Sequence, residues 1–249
     1  MQSVQPLGSV AKAVIFDVYN TLFDNSHEAW LATFQALCRQ QALPIDHQEL
    51  YRRWRAMEAE TRKGRVNLET PELSPPFKPY RAVWEECFER LFEELRLDGD
   101  AAAAKAQVVT DLGRRGLYPE SLAVVTRLHA SLKTAILSNA DDSFLKPLLQ
   151  ASPLPLDAVV SSESVSAYKP HPVGFQRILE VLQVAPQEAV FVGDTVYDDI
   201  LGAQRVGMRT VLVNWSGAPV DTSQARPDYQ VTNLTQLLDL LRPGKGGNL

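Results

Sequence analysis

Cysteine is nearly absent from this chain of 249 residues: only Cys38 and Cys87 occur. Each lies inside an amphipathic helical pattern, so both read as buried thiols rather than as a disulfide or a metal site, and a reducing compartment is expected. No apolar run approaches the roughly 18 residues that a membrane helix needs, so no membrane partner is expected. Lysine and arginine form no block or stripe, and the formal charge is -5, which argues against a general nucleic-acid or membrane-surface binder. The first ten residues carry no charge and contain Pro6 and Gly8, unlike the basic start and apolar centre of a signal peptide. No internal repeat is visible. From these absences a cytoplasmic protein is expected; composition does not choose between a monomer and a homodimer.

What is present suits a globular protein: 45% of residues are hydrophobic, enough for one large domain or two modest ones. Residues 1–9 and the glycine-rich 243–249 have the small polar character of frayed ends. Short apolar runs of strand length stand at Ala13–Phe16, Thr134–Leu137, Ala158–Val160, Ala189–Val192, Thr210–Val213 and Tyr229–Val231. Helical patterns at Pro119–Ser131, Val173–Leu182 and Asp199–Val206 alternate with the later runs. That alternation predicts an α/β fold, a Rossmann-like parallel sheet flanked by helices.

The segment between the first two strands differs. Patterns at Glu28–Gln41, Gln48–Arg62 and Pro79–Arg96 are helical, with Val83, Cys87, Leu91 and Leu95 at helical spacing and no convincing strand among them. The expected organisation is a discontinuous core of residues 10–24 and 113–242, with an all-helical cap domain of residues 25–112 inserted after the first strand. Within the cap, the proline-rich Lys63–Lys78 stretch, with Arg62, Arg65 and Arg81 nearby, reads as a solvated loop; presenting cations to a substrate is the alternative.

Candidate chemistry gathers at strand ends. Asp17 and Thr21 follow the first strand, Ser138-Asn139 the second, Lys169-Pro170 comes after the third, and Gly193-Asp194 with Asp198-Asp199 follows the fourth. In a parallel sheet all of these share one edge, where open α/β sheets bind ligands. Several acids meeting there repel one another unless protonated or bridged by a cation, and carboxylates with a backbone carbonyl suit Mg²⁺. A lysine and hydroxyls beside such a site would hold an anionic group.

The stretches Phe16-Asp17-Val18-Tyr19-Asn20-Thr21-Leu22, Ile136-Leu137-Ser138-Asn139, Ser161-Ser162-Glu163-Ser164-Val165 leading to Tyr168-Lys169-Pro170, and Val192-Gly193-Asp194 followed by Asp199-Ile200-Leu201-Gly202-Ala203 resemble the haloacid dehalogenase superfamily of hydrolases. The resemblance spans nearly everything from Ala11 to Leu241. It implies that Asp17 is a nucleophile forming an aspartyl intermediate, that Thr21, Ser138, Asn139 and Tyr19 contact substrate, and that Lys169 stabilises the charge. For the phosphatases of the superfamily it implies Mg²⁺ held by Asp17, the backbone carbonyl of Tyr19 and Asp194, with Asp199 as the second acid and Asp198 as a neighbouring candidate.

Two motifs pull apart. The phosphatases usually carry an aspartate where Tyr19 stands and a glycine where Asn20 stands. A phenol with a pKa of about 10 is a poor general acid at neutral pH, a loss worth roughly 10²- to 10⁴-fold. Tyrosine there characterises the metal-independent 2-haloacid dehalogenases, whose halide leaves without a proton. Those dehalogenases, however, generally have small polar residues at the Gly193-Asp194 position, and their cap arginine has no clear counterpart among Arg39, Arg52, Arg53 and Arg55. The intact acid pair favours a Mg²⁺-dependent phosphatase of a small phosphorylated metabolite; the dehalogenase is the alternative, and a weakly active binding member of the family the third reading.

Overall fold

Every residue of strand β1, Ala13–Phe16, is fully shielded from solvent, which is why the run is apolar at consecutive positions rather than alternating. In the computed structural model, which describes Leu7 and residues 10–242, β1 is joined by β2 (Lys133–Ser138), β3 (Ala158–Ser161), β4 (Ala189–Gly193), β5 (Arg209–Val213) and β6 (Tyr229–Val231) in one sheet. The order is β3-β2-β1-β4-β5-β6 and every pairing is parallel. The α/β expectation therefore holds. Apart from Leu7, which is buried, the expected frayed ends lie outside the described residues.

The chain divides into two compact units, residues 1–23, 117–139 and 153–249 in one and residues 24–116 and 140–152 in the other. In the sheet unit, α7 (Pro172–Leu182) packs Phe175, Ile178, Leu179 and Leu182 against Ile15, Ala135, Leu137 and Phe191. Leu137 needs the missing side chain of Gly174, where a Cβ would lie 3.0 Å from its Cδ1. Helix α5 (Ser121–His129) lies against β2.

The second unit is helical: α1 (His27–Gln40), α2 (His47–Arg62), α3 (Tyr80–Leu95), α4 (Ala101–Leu112) and α6 (Asp142–Ala151). Helix α6 departs from the sequence reading twice. It carries Pro147 inside it, which masks the helical pattern, and it groups with the helical unit although the expected boundary put it in the core. Its Phe144 stacks on Trp84 with ring centroids 5.5 Å apart, and the buried Asp141 carboxylate accepts the amides of Tyr80 and Arg81 at 2.8 Å each. Asp141 thereby caps α3, whose N-cap residue, Pro79, has no side chain able to do so.

The stripe Trp54, Glu58, Arg62 on α2 recurs every four residues and meets Tyr80, Trp84 and Phe88 of α3. Glu58 is fully buried and held at 2.7 Å by Arg55 and at 2.6 Å by Arg62. Arg65 donates to the Tyr80 hydroxyl at 2.9 Å, and Arg81 pairs with Asp141. These arginines thus have partners inside their own unit. Residues 63–78 carry only a short turn at Pro71–Leu73, as the solvated-loop reading expects. Cys87 is buried and Cys38 is half-buried, and both are free thiols. No helix among the described residues is long and apolar enough to cross a membrane.

Candidate active site

Strand register decides which side chains meet. Phe16 is level with Ile136 of β2 on one side and Val192 of β4 on the other, so Asp17, Ser138 and Gly193 emerge together at the carboxyl edge. The chain runs from β1 to β2 and β3 on one side and then crosses to β4 on the other side of β1, which makes this the switch point where open α/β sheets form a crevice. The amide of Asp17 donates to the Val192 carbonyl at 2.9 Å, fixing the first residue beyond the strand.

Past Asp17 the chain turns sharply. The Val18 carbonyl accepts from the amides of Leu22 and Phe23 at 2.8 and 2.9 Å. Asn20 takes a left-handed conformation with φ 62°, which costs most residues energy and which asparagine tolerates better than bulkier ones. That is the physical content of an asparagine where glycine is expected. The turn brings the Thr21 hydroxyl to 3.4 Å from Asp17 Oδ2, and Ser138 approaches Asp17 Oδ1 at the same distance.

Lys169 is almost wholly buried, and its Nζ lies 2.6 Å from both Asp17 Oδ1 and Asp199 Oδ1. Asn139 secures the backbone of Lys169: its Oδ1 accepts the Lys169 amide at 2.7 Å and its Nδ2 donates to the Lys169 carbonyl at 3.3 Å. Asn139 therefore acts here on the lysine's backbone. Tyr19 is half-buried, and its backbone pairs with that of Phe23.

The helix expected over Asp199–Val206 begins earlier and differently. Val196–Leu201 forms a π-helical turn that runs into the short α8, Gly202–Arg205. One extra residue in the turn lets the amides of both Asp199 and Ile200 reach the Thr195 carbonyl at 3.2 Å, a local insertion of the kind found at functional sites. It turns Asp199 rather than Asp198 onto Lys169. Thr195, which the sequence reading missed, donates to Asp199 Oδ2 through its amide at 2.9 Å and its hydroxyl at 2.8 Å.

Carboxylate oxygens of Asp17, Asp194 and Asp199 lie within 4.8 Å of one another. Burial pushes the Asp17 carboxyl up to about 6; the Lys169 cation pulls it down and the Asp199 charge pushes it up. Burial, with the charges of Asp199 and Asp17, holds Asp194 well above the usual carboxylate range. Burial also opposes the charge on Lys169, but the two carboxylates it bridges outweigh that and raise its pKa above the ordinary value. Three carboxylates and one ammonium carry a net charge of -2 when all are ionised. A hard divalent cation would balance that charge, and oxygen-only donors are what Mg²⁺ takes. The residues present fit such an ion.

The family model described as haloacid dehalogenase-like hydrolase matches residues 11–207. A glyceraldehyde 3-phosphate phosphatase of Pyrococcus furiosus is 28% identical over 250 residues, covering 95% of each chain. An (S)-2-haloacid dehalogenase 4A of Burkholderia cepacia is also 28% identical, over 92% of this chain and 94% of that one. The structure of L-2-haloacid dehalogenase from Xanthobacter autotrophicus, with chloropropionic acid covalently bound, superposes with a TM-score of 0.73 at 27% identity, covering 93% of this chain and 98% of that one.

Proposed function

The chain belongs to the haloacid dehalogenase-like hydrolases, and from that premise we propose that it is a Mg²⁺-dependent phosphatase of a small phosphorylated metabolite, with Asp17 as nucleophile. One observation carries the reading: Asp194 joins Asp17 and Asp199 in an acid cluster that holds a single lysine. An enzyme working without metal gains nothing from a third acid there, because like charges at close range oppose one another's ionisation.

In this reading an Asp17 carboxylate oxygen attacks phosphorus in line, forming the new O–P bond as the bond to the leaving oxygen breaks. Water then attacks the aspartyl phosphate, releasing inorganic phosphate and restoring the carboxylate. Lys169 keeps Asp17 aligned and offsets charge on the transferring group. Thr21 and Ser138, each 3.4 Å from an Asp17 oxygen, turn their hydroxyls to the phosphoryl oxygens. Asp17, Asp194 and the Tyr19 carbonyl would hold Mg²⁺, with Asp199 beside them; when bound, the ion supplies charge stabilisation at those oxygens. Since Tyr19 replaces the usual acid, leaving groups that need little protonation are the better substrates.

Hydrolysis of p-nitrophenyl phosphate that requires Mg²⁺ and disappears with EDTA and with Asp17→Asn tests the reading. No Mg²⁺-dependent turnover across a panel of phosphomonoesters would overturn it. A second reading, 2-haloacid dehalogenase, is favoured by Tyr19 and by the relatives that carry that activity. It predicts halide release from 2-chloropropionate in EDTA.

A further inference from the structure

The turn that carries Thr21 is anchored from the far end of the sequence. Trp215, in the loop after β5, donates its indole N–H to the Asn20 carbonyl at 2.7 Å across 195 residues of chain. Its ring packs on Tyr118 with centroids 4.4 Å apart. The Tyr118 amide and the Ser121 hydroxyl both donate to the Leu22 carbonyl, at 3.0 and 2.7 Å. Trp215, Tyr118 and Ser121 therefore enclose residues 20–22 from outside the site, while Asp17, Lys169 and Asp199 lie within it.

The Asn20 carbonyl shares its planar peptide with the Thr21 amide. Holding the one oxygen fixes the orientation of the whole unit, and with it the start of the Thr21 side chain. The anchor falls on the residue that needs it, because Asn20 sits at φ 62° without the freedom of glycine. We infer that Trp215 is a positioning residue: its N–H holds the Asn20–Thr21 peptide so that the Thr21 hydroxyl and the Tyr19 carbonyl keep their places beside Asp17. The inference rests on Asp17 being the nucleophile of the proposed reaction. It adds a residue that belongs to none of the four motifs.

Trp215→Phe deletes the N–H and keeps a ring against Tyr118. With p-nitrophenyl phosphate and Mg²⁺, kcat falls at least about tenfold while KM stays within about twofold, the pattern of misplacement rather than lost binding. Hydrogen exchange at the amides of Thr21, Leu22 and Phe23 quickens at least about tenfold, with β4 and β5 unchanged. Unchanged kcat, unchanged exchange in the turn, or a fall in kcat without faster exchange there would each overturn the inference. If the wild-type protein does not hydrolyse the phosphate ester, the phosphatase reading fails by itself. Halide release from 2-chloropropionate then supplies kcat, and if neither substrate turns over, exchange alone decides. Should the substituted chain not fold, the Trp215 indole proton of the wild-type protein decides: slow exchange with solvent supports the anchor, and exchange at the rate of a solvated indole overturns it.

Discussion

Gly193 and Asp199 share a space that admits only one side chain. A Cβ on Gly193 would lie 2.4 Å from Cγ of Asp199 and 2.5 Å from its Oδ2, distances that no real contact survives. The glycine is there so that the π-helical turn can lay the Asp199 carboxylate against the end of β4.

Gly193→Ala therefore displaces Asp199 from Lys169 and from both donors of Thr195. The expected result is a loss in kcat of about 10²-fold, since an ångström of misplacement is worth that much. Overpacking costs about 1 to 3 kcal/mol of stability. Steady-state kinetics and thermal unfolding check the two parts; unchanged kcat would show that Asp199 need not sit where it does.

The sheet was legible because its central strands β1 and β4 are buried on both faces, and a run such as Val190-Phe191-Val192 has no competing helical period. Four strand-end motifs could likewise be assigned to one edge, because a parallel sheet leaves no other arrangement. The misses have physical causes. Pro147 hides helix α6, although Phe144, Leu145 and Leu148 form its buried stripe. The π-helical turn is an insertion of one residue, invisible to a search for a period of 3.6, and so Asp198 and Asp199 could not be separated. Thr195 carried a signal in hindsight: a hydroxyl residue four before an acid can close onto it. Trp215 carried none, since only the tertiary fold brings it to Asn20.

Asp17 should make the fold weaker as it ionises. Its carboxyl titrates at about 6 in the folded chain against about 4 when unfolded, so the folded state holds the proton more tightly. The cost is absent below about pH 4, grows through the window up to about 6 and is complete above it. Asp17→Asn removes it, while Lys169 retains Asp199 as a partner. In EDTA the substituted chain should be more stable than wild type at pH 7.5, by at most about 3 kcal/mol, with the two converging at pH 4. Thermal unfolding across that range checks the sign; a variant less stable at pH 7.5 than wild type would contradict it.

The same displacement sets the acid limb of activity. A nucleophilic carboxylate must be ionised, so metal-free turnover rises with pH through about 6. A bound divalent cation favours the charged form and moves that limb down. A Mg²⁺-dependent reaction should therefore keep its rate well below pH 6, and a metal-free dehalogenation should not. Rate profiles from pH 4 to 8 for both substrates separate the two cases.

Asp141 is the cap that α3 does not provide for itself. Asp141→Ala leaves the amides of Tyr80 and Arg81 without this acceptor and removes the Asp141 carboxylate from the Arg81 guanidinium. A buried, charge-assisted pair of hydrogen bonds of this kind is worth about 2 to 3 kcal/mol. The helical unit should show the loss in hydrogen exchange across α3, while the amides of β1 and β4 stay protected. Uniform loss across both units would mean that the cap supports more than its own helix.

Tyr19 is where the reaction divides, and Tyr19→Asp asks which way the rest of the site is built. The backbone pairing of residue 19 with Phe23 does not depend on its side chain, so the turn should survive the change. A carboxyl there restores a general acid able to protonate the leaving oxygen and then activate the water, an effect worth roughly 10²-fold or more in phosphatase kcat. It also adds a fourth acid beside a cluster that reaches -2 when all its groups are ionised. Stability in EDTA should therefore fall, and Mg²⁺ should restore it. A rise in p-nitrophenyl phosphate turnover together with a Mg²⁺-dependent melting temperature would mark the site as a phosphatase lacking one acid. No rise, with halide release from 2-chloropropionate lost, would mark Tyr19 as part of a dehalogenase. No rise and no binding of Mg²⁺, in a chain that turns over neither substrate, would leave the family's fold serving to bind rather than to catalyse.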